Sequence, residues 1–201
     1  TLYALKINSD PEDSSGAKLL ESAAKLASAT DNKLIPIMKC DLNISNCIID
    51  TIHTNKITDL IVGIHHKANI VDTFLGGTIS SLINGTTNQN LIIYGPKKPI
   101  NSVKRLVVAV PQMAELEVGF DLWFDRIKNI ATQLSIPVIF YANKQTTIAL
   151  KKQCEIHSSL NVTFRELAAW EDFLIITKHI KPGDTLIVIS ARKATVSYNN
   201  L

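Results

Sequence analysis

Long apolar runs are absent. The 201-residue sequence contains no stretch of about 18 apolar residues, which excludes a membrane-spanning helix within it. Clustered charge is absent too. Lys and Arg number 21 against 18 Asp and Glu, a formal net charge of +3, with the basic residues spread along the chain. Nucleic-acid binding normally needs a concentrated basic face, so this function class is set aside; Lys97-Lys98 and Lys151-Lys152 read as solvated surface. Cysteine is scarce. Cys40, Cys47 and Cys154 show no Cys-x-x-Cys spacing, and an odd count without a framework points to reduced, cytosolic thiols rather than to disulfides or a zinc ribbon. Cys47 lies among Ile44, Ile48, Ile49 and Ile52 and reads as a small core residue. No Walker A loop, Gly-x-Ser-x-Gly elbow or His-Glu-x-x-His pair is present, so the sequence is not read as an enzyme. Cys154 and His157 are one helical turn apart but lack a third group. The sequence shows neither a signal peptide nor an initiator Met.

What is present is an internal repeat. Asp-Leu-Ile-Val-Gly-Ile-His-His-Lys-Ala from Asp59 aligns with Thr-Leu-Ile-Val-Ile-Ser-Ala-Arg-Lys-Ala from Thr185. Leu60-Ile61-Val62 matches Leu186-Ile187-Val188, and Lys67-Ala68 matches Lys193-Ala194. Upstream, Leu2–Ile7 aligns with Pro137–Ala142. The sequence therefore reads as two copies of one α/β unit. They are cut differently. The second has a strand and a helix before Val138 that the first lacks, and the first runs on to a strand that the second lacks. The expectation is a segment of a longer protein with part of a lobe missing at each end, or else two copies that have diverged.

Short apolar runs alternate with amphipathic periodicity, as in parallel βαβ units. The first copy predicts strand Leu2–Ile7, helix Ser15–Thr30, strand Lys33–Lys39, helix Ile44–His53, strand Leu60–Ile64, helix Thr78–Gly85 and strand Leu91–Tyr94. Asp10, Glu12 and Asp13 suit the positive end of the first helix. Leu19, Ala23 and Leu26 with Leu20, Ala24 and Ala27 form its expected buried stripe. The second copy predicts strand Arg105–Val110, helix Glu115–Leu134, strand Pro137–Ala142, helix Thr146–His157, strand Asn161–Phe164, helix Trp170–His179 and strand Leu186–Ser190. Gly95-Pro96-Lys97-Lys98-Pro99 punctuates the join, giving lobes over 1–97 and 104–201 with a linker over 98–103.

Ligands in open parallel sheets bind beyond the carboxyl ends of the strands. That edge gathers Gly63, His65, His66 and Lys67, then Gly76, Gly77 and Thr78 at the expected helix start. Glycines there let backbone N–H groups approach a phosphate, aided by the helix dipole. Adjacent His65 and His66 would point to opposite sides of an extended segment, a poor metal pair, and Lys67 suits surface or a phosphate.

With these residues the chain resembles the universal stress protein family. Nucleotide-binding members of that family carry Gly, two residues, Gly, nine residues, Gly, then Ser or Thr. Gly63 and Gly76 fall at the first and third glycines. His66 stands at the second and Gly77 at the Ser/Thr position, with Thr78 one residue late. In the second copy Ile189 and Arg192 replace the first two glycines, and Pro111-Gln112 stands where the family places an acidic ribose partner. The resemblance implies an α/β fold of two Rossmann-like three-layer units of the adenine nucleotide α-hydrolase type, each incomplete at a chain end. It places the first strand of a unit between the second and fourth, so Leu2–Ile7 is expected to pair with Leu60–Ile64 directly or to leave room for a strand from elsewhere. Ile64–Asn69 and Ser190–Thr195 are also similar to the C-terminal region of bacterial Na+/H+ (monovalent cation/proton) antiporters, where tandem stress-protein-like domains follow the exchanger. This likeness implies a non-catalytic regulatory domain at the cytoplasmic face of the inner membrane, without membrane insertion of its own. Its partners would be the transmembrane antiporter domain of the same polypeptide and a second copy in a homodimer through Leu91–Tyr94. No cofactor is expected beyond weak ATP, AMP or cyclic dinucleotide binding. The alternative is a free-standing tandem stress protein that binds ATP or AMP.

Overall fold

A computed structural model describes residues 1–8, 15–63, 71–95, 99–156 and 160–199. The chain is α/β with parallel strands throughout, and it divides into unit 1, Thr1–Gly95, and unit 2, Pro96–Leu201.

Unit 1 contains β1 (Leu2–Asn8), α1 (Ser15–Ser28), β2 (Leu34–Cys40), α2 (Ile44–Asn55), β3 (Asp59–Gly63), α3 (Val71–Gly85) and β4 (Asn90–Tyr94). Its strands form two separate pairs, β1 with β2 and β3 with β4. The direct pairing of Leu2–Ile7 with Leu60–Ile64 does not occur among the described residues. Pro36 lies in β2, a strand paired on one side only, where a residue without an N–H is tolerated. Asn43 caps α2 by accepting from the Asn46 N–H at 3.1 Å. The core of this unit is thin. Its buried apolar side chains among the described residues are Leu20, Ala27, Cys47, Ile52 and Leu82. Leu19 and Leu26, expected in the buried stripe of α1, are 64% and 72% exposed. One strand pair, β1 with β2, covers too narrow a strip for the whole apolar face of α1.

Unit 2 contains β5 (Arg105–Ala109), a 3-10 turn (Ala114–Leu116), α4 (Phe120–Leu134), β6 (Val138–Ala142), α5 (Lys144–Ile156), β7 (Val162–Glu166), a 3-10 helix (Trp170–His179) and β8 (Asp184–Val188). Four strands run in the order β7-β6-β5-β8. Side chains alternate across this sheet. Leu106, Val108, Val110, Val138 and Phe140 pack with Phe124, Ile127, Ala131 and Leu150 on one face. Val107, Ala109, Ile139 and Tyr141 pack with Leu167, Trp170 and Ile176 on the other. Helical segments thus cover both faces, which is why the strands read as continuous apolar runs.

Four local expectations change. The helix expected at Thr78–Gly85 begins at Val71. The helix expected at Glu115–Leu134 starts at Phe120, after Gly119 caps it, with Val118 fully exposed in the break. Trp170–His179 is 3-10 rather than α-helical. Finally, the alignment of Leu2 with Pro137 is one residue out. The Leu2 N–H donates to the Lys33 carbonyl (3.1 Å) as the Val138 N–H donates to the Asn161 carbonyl (2.9 Å), so Leu2 corresponds to Val138. A one-residue slip exchanges the two faces of a strand, and apolar residues on both faces of these strands conceal it in the sequence.

Candidate functional site

In unit 1, β3 ends at Gly63, where an added Cβ would meet nothing within 4 Å among the described residues. His65, His66 and Lys67 lie outside the described residues. Gly76, Gly77 and Thr78 lie well inside α3, past its first turn. Their N–H groups belong to the helix ladder, and only the first four of a helix are free for a ligand. They do not form the helix-start anion site expected of them. Among the described residues, an added Cβ at Gly77 likewise meets nothing within 4 Å.

In unit 2, β5 runs into Val110-Pro111-Gln112 and then Met113, whose φ of 62° turns the chain into the 3-10 segment. Gln112 Nε2 donates to the Ala168 carbonyl at 2.9 Å, which ties this loop to the segment after β7. Beyond β8 the chain turns again at Ala194, with φ of 68°. This second loop is closed by a carboxylate. Glu117 Oε1 accepts from the backbone N–H of Ser197 at 2.8 Å and from Ser197 Oγ at 2.7 Å. Burial alone would raise the Glu117 carboxyl, but the bonds from Ser197 and from the Thr195 hydroxyl outweigh it and hold the group below its ordinary range. Glu115 Oε2 accepts from Thr146 Oγ1 at 2.7 Å, pinning the same turn to α5. Arg192, at the position of the second family glycine, is half-buried, and its desolvation lowers the guanidinium pKa.

The anion held here is therefore the protein's own. A backbone N–H and a hydroxyl converge on Glu117, an arrangement equally suited to a phosphate oxygen. Sequence reasoning missed this clamp because Glu117 and Ser197 are 80 residues apart and no spacing rule joins them. The two carboxylates flanking Leu116 in a segment read as helix were the available signal.

Other polar groups serve the fold. At the opposite end of β5, Arg105 binds Asp184 through Nε (3.0 Å) and through its terminal nitrogen. The Asp184 side chain is 4% exposed. Burial alone would raise its carboxyl, but Arg105 and the Lys181 N–H hold it low. Burial pushes the Cys47 and Cys154 thiols up, away from nucleophilic use. His157 lies outside the described residues. Among the described residues, no three His, Cys, Asp or Glu side chains cluster as metal ligands would, and no helix is long and apolar enough to cross a membrane.

Parallel strands in the order β7-β6-β5-β8, covered on both faces, define a Rossmann-like α/β architecture. Among solved structures the chain is similar to one provisionally named a universal stress protein, from Pseudomonas aeruginosa UCBPP-PA14. The TM-score is 0.63 at 13% identity, covering 98% of this chain and 74% of that one. At this identity the likeness defines the fold. No protein-family model and no curated protein matches the sequence.

Proposed function

We propose that this chain is a non-catalytic regulatory module built of two universal stress protein-like units and belongs to the cytoplasmic side of a monovalent cation/proton antiporter. The observation that carries the regulatory reading is the Glu117–Ser197 clamp, since the donors that could hold a phosphate in unit 2 hold a carboxylate instead. In unit 1, Gly76, Gly77 and Thr78 belong to the interior of α3, which removes them from a phosphate cradle. The antiporter context rests on the sequence likeness of Ile64–Asn69 and Ser190–Thr195. Such a module acts by binding a cytosolic ligand or partner with different affinity in two states of the transporter. A homodimer through β4 fits the same reading, because Leu91 and Ile93 turn their backbone groups away from β3 and Ile93 is 43% exposed.

The test is the coding sequence upstream of Thr1. About a dozen apolar spans of membrane length support the antiporter reading, and a start codon close by refutes it. One observation favours the second reading, a free-standing ATP- or AMP-binding stress protein: among the described residues, no heavy atom stands within 4 Å of a Cβ added at Gly63. A thermal-shift panel of ATP, AMP, NAD and cyclic dinucleotides separates the two. A true ligand at about 100 times its Kd adds about 2.7 kcal/mol.

A further inference from the structure

Backbone direction shows which edge of each strand in unit 1 is unpaired. N–H and C=O groups alternate sides along a strand. The Leu2 N–H donates to Lys33 and the Asn8 carbonyl accepts from Asp41, so the even-numbered residues of β1 face β2. Tyr3, Leu5 and Ile7 therefore aim their backbone groups at the opposite edge. In β3 the Thr58 carbonyl accepts from the Asn90 N–H at 2.9 Å, so Thr58, Leu60 and Val62 face β4. Ile61 and Gly63 face away. No strand among the described residues pairs with either of these edges.

Unit 2 shows what the same edges do when they are satisfied. Leu2 corresponds to Val138, so Tyr3 and Leu5 correspond to Ile139 and Tyr141. Tyr141 accepts from the Val110 N–H at 2.9 Å, and this parity of β6 faces β5. Ile61 and Gly63 correspond to Ile187 and Ile189, and the Ile189 N–H donates to the Ala109 carbonyl at 2.9 Å. The edges left open in unit 1 have the parity of the two edges that hold β5 in unit 2. From Leu106 to Val110 every side chain of that central segment is at most 2% exposed. Where β6 is buried throughout, β1 is half-buried and begins at an exposed Leu2; in β3, Ile61 is 66% exposed.

We propose that unit 1 binds an incoming β-strand supplied by another polypeptide segment. The strand is an apolar, β-branched run of about five residues with the chemistry of Leu106–Val110. It lies parallel between β1 and β3. It pairs with the backbone of Tyr3, Leu5 and Ile7 on one side and of Ile61 and Gly63 on the other, turning two pairs into one sheet. This is strand addition with two edges in place of one, and the main-chain ladder supplies its affinity. The occupant is apolar on both faces because its counterpart β5 is packed on both faces. The proposal is independent of whether the chain binds a nucleotide.

The experiment is residue-resolved hydrogen exchange on the full chain with a peptide of the Lys104–Gln112 sequence carrying an N-terminal lysine tail. A matched peptide with Val108→Pro cannot complete the ladder. The expected result is saturable slowing, by about tenfold or more, at the amides of Tyr3, Leu5, Ile7, Ile61 and Gly63. The proline peptide produces none, and Leu91 and Ile93 are unchanged. Absence of slowing, equal slowing with both peptides, or slowing confined to Leu91 and Ile93 overturns the proposal. Slowing at the five amides that rises with protein concentration without peptide assigns the edges to a second copy and overturns it as well.

Discussion

Replacing Glu117 with alanine should destabilise unit 2 by about 2–3 kcal/mol at neutral pH. Two bonds from Ser197 to the carboxylate are lost, from its N–H at 2.8 Å and from its Oγ at 2.7 Å, together with the smaller contribution of the Thr195 hydroxyl. Hydrogen bonds to a charged group each contribute about 1.5–3 kcal/mol, and solvent screening at the part-exposed Glu117 brings the pair's total below the simple sum of about 3–6 kcal/mol, to about 2–3 kcal/mol. Ser197 is 2% exposed, so its donors would be left without water. The chain's two tryptophans, Trp123 and Trp170, both lie in unit 2, so urea unfolding followed by tryptophan fluorescence reports on this unit. The pH dependence has a definite sign. The folded Glu117 carboxyl sits below its ordinary value, so its stabilisation is fully present above the unfolded pKa of about 4.3 and fades as pH falls through the folded value. The gap between wild type and Glu117→Ala should therefore close in acid. A loss under about 0.5 kcal/mol at pH 7, the size of a neutral surface substitution, or a gap that widens on acidification, refutes the clamp as described.

Asp184→Ala should cost unit 2 about 3–5 kcal/mol in the same assay, since it leaves Arg105 without its buried partner. Its depressed carboxyl adds to the loss of stability below about pH 4, so a wild-type unit 2 whose stability is flat from pH 7 to 3 would contradict both carboxylate assignments. Phe124→Ala should cost about 3–5 kcal/mol, because this 1% exposed ring stacks on Phe140 with centroids 6.0 Å apart. Gly183→Ala should cost about 1 kcal/mol or more, as φ is +96° and the new Cβ meets Lys104 at 3.1 Å; equal midpoints would show that the turn relaxes. In unit 1, Asn43→Ala should remove the α2 cap at about 1 kcal/mol, seen as faster amide exchange in the first turn of α2.

The elements of unit 2 were legible in the sequence because burial on both faces gives β5, β6 and β8 unbroken apolar runs bounded by turn residues. Trp170–His179 was placed correctly but its type was not, since apolar spacing does not separate a 3-10 from an α-helix. The start of α3 was misplaced because Gly76-Gly77 reads as a helix start, whereas the helix carries both glycines within it. Leu19 and Leu26 follow helical periodicity perfectly well; their exposure reflects how little sheet lies against α1. Sequence reasoning anticipated that Leu2–Ile7 would have either β3 or an outside strand beside it, and the structure excludes the direct pairing among the described residues. The Glu117 clamp was missed because it joins two loops, 80 residues apart, that the sheet order brings together; only the two carboxylates flanking Leu116 hinted at it.

Isothermal titration calorimetry of the chain with ATP and magnesium tests the regulatory, non-nucleotide reading most directly. The account predicts a Kd weaker than about 0.1 mM, a free energy short of about −5.5 kcal/mol, in wild type and in Gly63→Val alike. A micromolar Kd that Gly63→Val abolishes would contradict it and establish the chain as a nucleotide-binding stress protein.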